Sequence, residues 1–176
     1  MTYRLRAGLA TLVFWSAIGS AAQALDGRDY VGNFAFSGGA AETTARNEAF
    51  KAATDSLNPV FRVVAKPFLE SATKIPKTIK IVMQGKDIGI QIDPYPMRVS
   101  GLDSTPFRFK GTIGQESTMT RHWEGATIVE MTQSSSGSRG NTYRLSGDGK
   151  SMTVVTTFQS GQLKAPLRYS LTYRRN

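Results

Sequence analysis

The spacing of apolar residues is helical in one segment of the chain, between residues 41 and 71. Apolar side chains recur there at steps of three and four, which places them on one face of a helix. The members of this stripe are Phe50, Ala53, Leu57, Val60 or Phe61, Val64 and Phe68. The pattern therefore predicts helical structure with one side turned towards a core.

Two residues divide this helical segment. Asn58 is a good helix cap, and Pro59 is suited to the first position of a helix. The sequence therefore predicts two helices, over about 41–56 and 59–71. Pro67 has no amide hydrogen to donate, so we expect the second helix to end or kink just before it.

Beyond residue 77 the apolar period shortens to two, which is typical of half-buried strands. Ile88, Ile90 and Ile92 alternate with polar residues or glycine, and Asp148-Gly149 is typical of a hairpin turn. The whole pattern predicts ten strands. They cover residues 30–36, 79–83, 88–92, 97–101, 107–112, 116–123, 126–133, 141–146, 150–158 and 166–174.

Such a set of strands predicts a mainly β fold. Each strand has one apolar face, and closing the sheet removes its exposed edges. We therefore expect a single antiparallel up-and-down β-barrel of about eight to ten strands, with the helix–turn–helix inserted after the first strand as a lid. No repeat or long linker interrupts residues 25–176, which we expect to form one domain. A barrel of this size is either filled by its own side chains or holds one small ligand.

The first 24 residues have the pattern of a secretory signal peptide. Arg4 and Arg6 precede an uncharged segment of 16 residues, shorter than the roughly 20 residues that cross a membrane. Ala-Gln-Ala, ending at Ala24, supplies the small residues that a signal peptidase requires. The alternative is a membrane anchor or a buried helix, but the placement of charge favours cleavage after Ala24. We therefore expect a periplasmic or secreted protein of 152 residues without a membrane span.

Composition narrows the chemistry further. The chain has no cysteine, so it has neither a disulfide nor a lipid-bearing cysteine. Without Arg4 and Arg6, 20 basic residues stand against 13 acidic ones, a net charge of +7. This charge favours contact with anionic components of the cell envelope, although solubility alone also explains it. Tyrosines beside basic residues fall on the apolar side of their strands, which argues against nucleic-acid binding.

Candidate catalytic and metal-binding residues are few. His122 is the only histidine, so a histidine cluster for a metal is excluded. Three glutamates near predicted strand ends are expected to be solvated. They are Glu116, Glu124 and Glu130. The serine-rich segment 134–140 has no neighbouring base, and we expect a hairpin tip where backbone amides and Arg139 could hold an anion. We therefore predict a protein that is not an enzyme and needs no metal or cofactor.

The order of one strand, a helix–turn–helix and nine antiparallel strands resembles the fatty-acid-binding-protein branch of the calycins, which are relatives of the lipocalins. It also resembles a group of exported bacterial proteins without an assigned activity. Matching segments span nearly all of the mature chain. They are Asn47-Glu48-Ala49, Arg62 to Lys66, Ile75 to Ile79, Tyr143 to Lys150 and Leu167 to Arg175. The resemblance implies a barrel fold and an exported location, and it implies no catalytic activity.

Two motifs of those families differ in this chain. Lipocalins open with Gly-x-Trp, whose indole packs beneath an arginine of a late strand, and here the motif is Gly32-Asn33-Phe34. Fatty-acid-binding proteins hold the ligand carboxylate with Arg-x-Tyr on the last strand, and here the pairs are Arg168-Tyr169 and Tyr173-Arg174. Adjacent strand residues point to opposite faces, so the anion site of that family is not carried over.

The alternation of the predicted strands implies an inward set that is almost wholly apolar. Its members are Ile79, Ile81, Met83, Ile88, Ile90, Ile92, Phe107, Phe109, Met152, Val154 and Tyr169. This lining favours a small hydrophobic or amphiphilic ligand, such as a lipid, beneath the helical lid. An anionic head group would lie at the mouth, near Arg62, Lys66 or Arg121. The predicted binding residues are Phe61, Phe68, Met83, Ile90, Phe107, Phe109, Tyr169, Arg62 and Arg121.

Two alternatives stay open at this point. One is a protein-interaction or inhibitor domain whose barrel is fully packed, and the other is a half-open barrel like those of periplasmic lipoprotein carriers. An apolar cavity beneath the helices would separate a ligand carrier from a packed domain. Pairing between the first and the last strand would separate a closed barrel from a half-open one.

Overall fold

The computed structural model describes residues 25–111 and 114–176, which contain two helices and ten strands in the predicted order. The predicted signal peptide, residues 1–24, lies outside the described residues. The strands are β1 Gly32–Phe36, β2 Thr78–Gln84, β3 Asp87–Ile92, β4 Arg98–Ser100, β5 Phe107–Lys110, β6 Glu116–Glu124, β7 Thr127–Ser134, β8 Gly137–Leu145, β9 Ser151–Gln159 and β10 Leu167–Arg175. The helices α1 Gly39–Asp55 and α2 Pro59–Ala72 lie between β1 and β2. Within the described residues no helix is long and apolar enough to cross a membrane.

All ten strands belong to one antiparallel sheet, with the order β4-β3-β2-β1-β10-β9-β8-β7-β6-β5. The first and last strands are joined, since β1 pairs with β10 and places Phe34 opposite Arg175. Among the described strands, the ladder is missing only between the two ends of the sheet, β4 and β5. The predicted fold, a nearly closed up-and-down barrel with a helix–turn–helix after the first strand, is confirmed. The pairing of β1 with β10 argues against the half-open alternative.

The inward side chains of the central strands fill most of the barrel. Ile79, Ile81, Ile88 and Ile90 are each 3% exposed or less. Basic residues that alternate with the inward ones along the strands are exposed on the outer face. They are Arg108, Lys110, Arg144, Arg168 and Arg174. The two-residue period therefore describes the two faces of the central strands correctly, and most of the interior is a packed core.

The seam between β1 and β10 is held by an arginine above an aromatic ring. The Arg175 guanidinium lies 4.8 Å from the centre of the Phe34 ring. It also donates to the carbonyl oxygens of Asp29, at 2.6 Å, and Val31. A Cβ at Gly32 would lie 2.9 Å from the Arg175 Nη1, so a glycine gives the guanidinium its room. Phe34 thus lies beneath an arginine of the last strand.

Helix α2 begins as predicted and ends within one residue of the predicted bound at 71. Its cap is Asn58, whose Oδ1 accepts from the Val60 amide at 3.0 Å. The helix runs through Pro67 to Ala72, so the expected end at the proline is wrong. Tertiary contacts retain the last turn despite the lost hydrogen bond. Leu69 is 3% exposed in the core, and Arg46 Nε donates to the Thr73 carbonyl oxygen at 2.8 Å.

Strand β8 begins earlier than predicted. It starts at Gly137, and Arg139 pairs with Phe158 of β9, so most of the segment expected to be a hairpin tip is strand. Gly137 has a φ of 143°, which few other residues adopt. The turn before it therefore needs only Ser135 and Ser136, and the strand extends towards the helices.

Candidate ligand-binding site

A cavity of about 200 Å³ lies between the end of α2 and the adjoining rim of the barrel. Phe68, Ser71 and Ala72 form its wall on the helix side, and residues of β3 to β9 form the rest. Sites for drug-sized ligands usually measure roughly 300–1,000 Å³, so this one suits a small molecule. Its position beneath the helices is the one expected from the sequence, but the packed core leaves it confined to one end of the barrel.

One part of the cavity is aromatic and apolar. The ring centres of Phe68 on α2 and Phe158 on β9 are 6.3 Å apart. Phe109 and Ile92 lie on the same cavity, at the ends of β5 and β3. These side chains form a surface against which an apolar group is removed from water.

The floor of the cavity is a buried network centred on Glu130 of β7. One Glu130 oxygen accepts from Arg121 Nε at 2.7 Å and lies 2.6 Å from Arg121 Nη2. The other accepts from Asn141 Nδ2 at 3.0 Å and from the Tyr143 hydroxyl at 3.3 Å. Thr156 donates in turn to the Asn141 side-chain oxygen at 3.0 Å. The Arg121 side chain is only 1% exposed and that of Glu130 8%, so this is an ion pair inside the barrel.

The pKa values in this network follow from burial and charge. Burial alone would raise the pKa of Glu130, but Arg121 and the hydrogen bond from Asn141 outweigh it, and the pKa is lowered. Burial, together with the adjacent Glu130 charge, raises the pKa of Tyr143 well above its ordinary value. Glu130 is therefore a carboxylate at neutral pH, and Tyr143 is a neutral hydrogen-bond donor to it.

Arg121 also spans the gap between the two unpaired ends of the sheet. Its Nη1 donates to the carbonyl oxygen of Ile88 at 3.1 Å, to that of Arg98 at 2.9 Å, and to Ser100 Oγ at 3.2 Å. These partners belong to β3 and β4, whereas Arg121 belongs to β6. The backbone of Arg121 makes a further contact, since the Ser104 amide donates to the Arg121 carbonyl oxygen at 2.8 Å. A buried side chain thus connects the two ends of the sheet from within.

Two further arginines, Arg98 and Arg139, line the cavity. The Arg98 guanidinium lies 4.1 Å from the centre of the Phe109 ring. Burial lowers the pKa of Arg98, and the charges of Arg121 and Arg139 act in the same direction while Glu130 opposes them. Arg139 Nη1 donates to the Ala72 carbonyl oxygen, at the end of α2, at 3.3 Å. Its Nε is buried without a hydrogen-bond partner among the described residues.

Of the nine residues predicted to bind a ligand, Phe68 and Phe109 line this cavity. Ile90 and Tyr169 are buried in the packed core, and Met83 packs against that core near Gly27. The Tyr169 hydroxyl is a buried oxygen without a partner among the described residues. The ligand contacts of all nine residues stay a prediction.

The remaining predicted residues lie elsewhere. Phe61 is 51% exposed on the outer side of α2, and Phe107 is 36% exposed at the unpaired end of the sheet, so neither is enclosed as expected. Arg62 Nη2 donates to the carbonyl oxygens of Asp55 and Leu57, which secures the turn between the helices. The expected place of Arg121 at the mouth is wrong, because its charge is matched by a buried carboxylate.

The prediction also missed residues that shape the cavity. Glu130 was expected to be solvated, and it is buried because it faces inward in phase with Ile128 and opposite Arg121. The lining is therefore mixed rather than almost wholly apolar. The two-residue period could have revealed Glu130, since Ile128 is two positions away on the same face.

A more open depression of about 300 Å³ adjoins the cavity at the tips of the β7–β8 and β9–β10 hairpins. Ser134, Gly137 and Ser138 line both. Among the described residues, no group of three or more histidine, aspartate or glutamate side chains is arranged to hold a metal ion. The arrangement is suited to binding an amphiphile, because aromatic rings and guanidinium groups line the same cavity.

No protein-family model matches the chain, and no curated protein matches it in sequence. Solved structures do match its fold. A secretary abundant heat soluble protein from Ramazzottius varieornatus is 16% identical, with a TM-score of 0.55, covering 84% of this chain and 96% of that one. The fluorescent protein UnaG is 14% identical, with a TM-score of 0.52, over 85% and 98% of the two chains. A point mutant of the REP1-NXSQ fatty acid transporter has the same identity and TM-score, over 85% and 99%. At these identities the likeness shows the fold, a calycin-like barrel shared with fatty-acid-binding proteins.

Proposed function

We propose that this chain is an exported, non-enzymatic binding protein that holds a small amphiphilic molecule in the cavity beneath α2. The observation that carries the proposal is the cavity itself, where Phe68, Phe109 and Phe158 lie beside the guanidinium groups of Arg98 and Arg139. A fully packed barrel would leave no such space. Proteins of the same fold support it, since one is a fatty acid transporter and another is a fatty acid binding protein in complex with arachidonic acid.

The size of the cavity limits the ligand. About 200 Å³ accommodates a short chain or up to about three rings, with further room only in the adjoining depression. Most of the inward residues that were expected to line a long acyl-chain site, such as Ile79 and Ile90, are instead in contact with one another in the core. We therefore propose a ligand shorter than a full-length fatty acid.

A fluorescence titration tests the binding function. Phenylnaphthylamine, a neutral dye that brightens in apolar surroundings, should bind the mature protein saturably at one site. Thr132→Phe fills the cavity from β7, because Thr132 lines it, and should weaken binding about tenfold or more. Met131→Phe places the same ring on the exposed outer face of the same strand, where it lines neither the cavity nor the depression, and should leave binding unchanged. Equal binding by both variants would contradict the cavity as the site.

The exposed apolar side of α2 favours a second candidate, a protein-interaction domain. Val60, Val63 and Val64 are each 77% exposed, beside Phe61. A domain that works through this surface would show no saturable dye binding, and its behaviour would depend on Phe61 rather than on Thr132. Absence of dye binding by the unaltered protein would therefore overturn the carrier proposal in favour of this one.

The proposed location rests on the amino-terminal sequence. We propose export to the periplasm or the exterior, with a mature amino terminus at Leu25. Intact-mass measurement of protein recovered from the envelope and cytosolic fractions of its host tests this. A full-length chain confined to the cytosol would contradict it.

A further inference from the structure

The cavity beneath α2 contains more positive than negative charge. Arg98, Arg121 and Arg139 lie within electrostatic range of one another, and Glu130 is the carboxylate among them. The Glu130 charge is taken up by Arg121 through two close contacts. The positive charges of Arg98 and Arg139 on the cavity wall are therefore not neutralised by Glu130.

Neither of these two guanidinium groups forms an ion pair within the described part of the chain. Described ion pairs join Lys51 to Asp55 and Arg121 to Glu130. Arg98 is instead stacked on Phe109, and Arg139 has a single long hydrogen bond, from Nη1 to the end of α2. A partly buried cation without a counter-ion is costly, so such a group favours an anion from outside.

The geometry of Arg139 is suited to such an anion. Its Nη1 is turned towards the Ala72 carbonyl oxygen. Its Nε is buried without a partner, and Nη2 has no protein partner among the described residues. Nε and Nη2 form one edge of the guanidinium plane, with two parallel N–H bonds. That edge matches two oxygens of a carboxylate, sulfonate or phosphate.

We propose that Arg98 and Arg139 form an oxyanion site at the rim of the cavity, which holds the head group of a short amphiphile while Phe68, Phe109 and Phe158 receive its apolar part. This inference rests on the proposed function and specifies its ligand class. The head group lies at the rim because the floor is closed by the Arg121–Glu130 pair, whose carboxylate repels a second anion. Arg98 and Arg139 thus take the role of cationic groups at the mouth that was predicted for Arg62 and Arg121.

Two dyes that differ by one anionic group test the site. Anilinonaphthalene sulfonate is phenylnaphthylamine with a sulfonate added, so a pair of titrations separates the head group from the rings. Arg139→Gln and Arg98→Gln should each weaken the sulfonate about tenfold, the value of one lost charge-assisted contact, and change the neutral dye less than about twofold. Arg144→Gln, on the exposed face of the same strand as Arg139, should change neither.

Added salt and a second ligand pair provide independent measurements on the unaltered protein. Raising the salt concentration should weaken the sulfonate and not the neutral dye. Octanoate should displace the bound dye more strongly than octanol, which has the same chain without the charge. Arg139→Lys keeps the charge and loses the planar edge, so it should retain part of the sulfonate affinity. The salt and octanoate measurements use the unaltered protein, so a lack of preference for the anionic ligands refutes the site even if a glutamine variant fails to fold.

The outcomes separate this inference from the proposed function. If both dyes bind but the two variants weaken them equally, or not at all, the cavity binds ligands and the oxyanion site is refuted. If neither dye binds the unaltered protein, the binding function itself fails. Selective loss of the sulfonate in both variants supports the site.

Discussion

Replacing Arg121 with methionine would leave the Glu130 carboxylate inside the barrel without its counter-ion. Both side chains are almost fully buried, and removal of one partner of such a pair typically costs about 3–5 kcal/mol. The carbonyl oxygens of Ile88 and Arg98 lose a donor as well. Against a total stability of roughly 5–15 kcal/mol, we expect Arg121→Met to be folded but strongly destabilised.

Urea denaturation at neutral pH measures the effect. With a slope of about 1–3 kcal/mol per molar urea, a loss of this size moves the midpoint down by roughly 2 M. Arg168→Met makes the same change on an exposed arginine and should stay within about 0.5 kcal/mol of the unaltered protein. Arg121→Met combined with Glu130→Gln should recover part of the loss, because the unmatched charge is then gone.

The pH dependence gives a sharper test because its sign is fixed by the structure. In the unaltered protein the pKa of Glu130 is lowered, so its contribution is present above the unfolded value of about 4.3 and is lost as the pH falls through the folded value. In Arg121→Met, burial is opposed only by the Asn141 hydrogen bond and the Arg139 charge, and we expect it to raise that pKa. The folded variant then binds a proton more readily than the unfolded chain, and its deficit should shrink between pH 7 and about pH 5. A deficit below about 1 kcal/mol, or one that grows on acidification, would refute the reasoning.

Other substitutions test the packing of the sheet. Ile90→Asp places an unpaired carboxylate in the core and should abolish cooperative unfolding. Lys110→Asp on the outer face should change the free energy of unfolding by less than about 0.5 kcal/mol. Similar melting curves for the two variants would contradict the assigned faces. Arg175→Met removes the cation above Phe34 and its hydrogen bonds to backbone carbonyl oxygens. Denaturant titration should show that the free energy of unfolding falls by about 2–3 kcal/mol. A fall of less than about 0.5 kcal/mol would show that the seam does not depend on Arg175. Gly137→Ala forces a side chain into a positive-φ position against the carbonyl oxygen of Gln159 on the facing strand. Thermal melting should show a destabilisation of about 1–3 kcal/mol. An unchanged melting temperature would contradict this expectation.

The periodicity of the sequence predicts the elements of this fold because each element has a solvent side. The alternation around Ile90 records which side chains leave water. The helical stripe does so only in part, since Ala53 and Leu57 are buried whereas Val60 and Val64, which it also placed on the core side, are each 77% exposed. Pro67 was misjudged because the local rule takes no account of Leu69, whose burial retains the last turn of α2. The wrong expectation thus reflects tertiary contact overriding a local preference.

The candidate site is less accessible to sequence reasoning, for different reasons in different residues. The burial of Glu130 could have been predicted, since the turn at Gly125 places Glu130 opposite Arg121 and its phase with Ile128 turns it inward. Arg98 was not, because β4 has only three residues and offers no period. Arg139 lies in a segment whose serines and glycines indicate a loop, and only the pairing with β9 shows that it is strand.

The seam between β1 and β10 also determines the order in which this chain is able to fold. Strands β5 to β10 follow one another as hairpins, so each finds its neighbour within a few residues. Strand β1 is different, since Arg175 reaches Val31 across 144 positions of sequence. Contacts so distant carry the largest loop-closure entropy and slow a folding reaction. We expect the pairing of β1 with β10 to be the late step of folding, because it requires the last strand. This order should hold both for refolding in vitro and for folding after passage across a membrane.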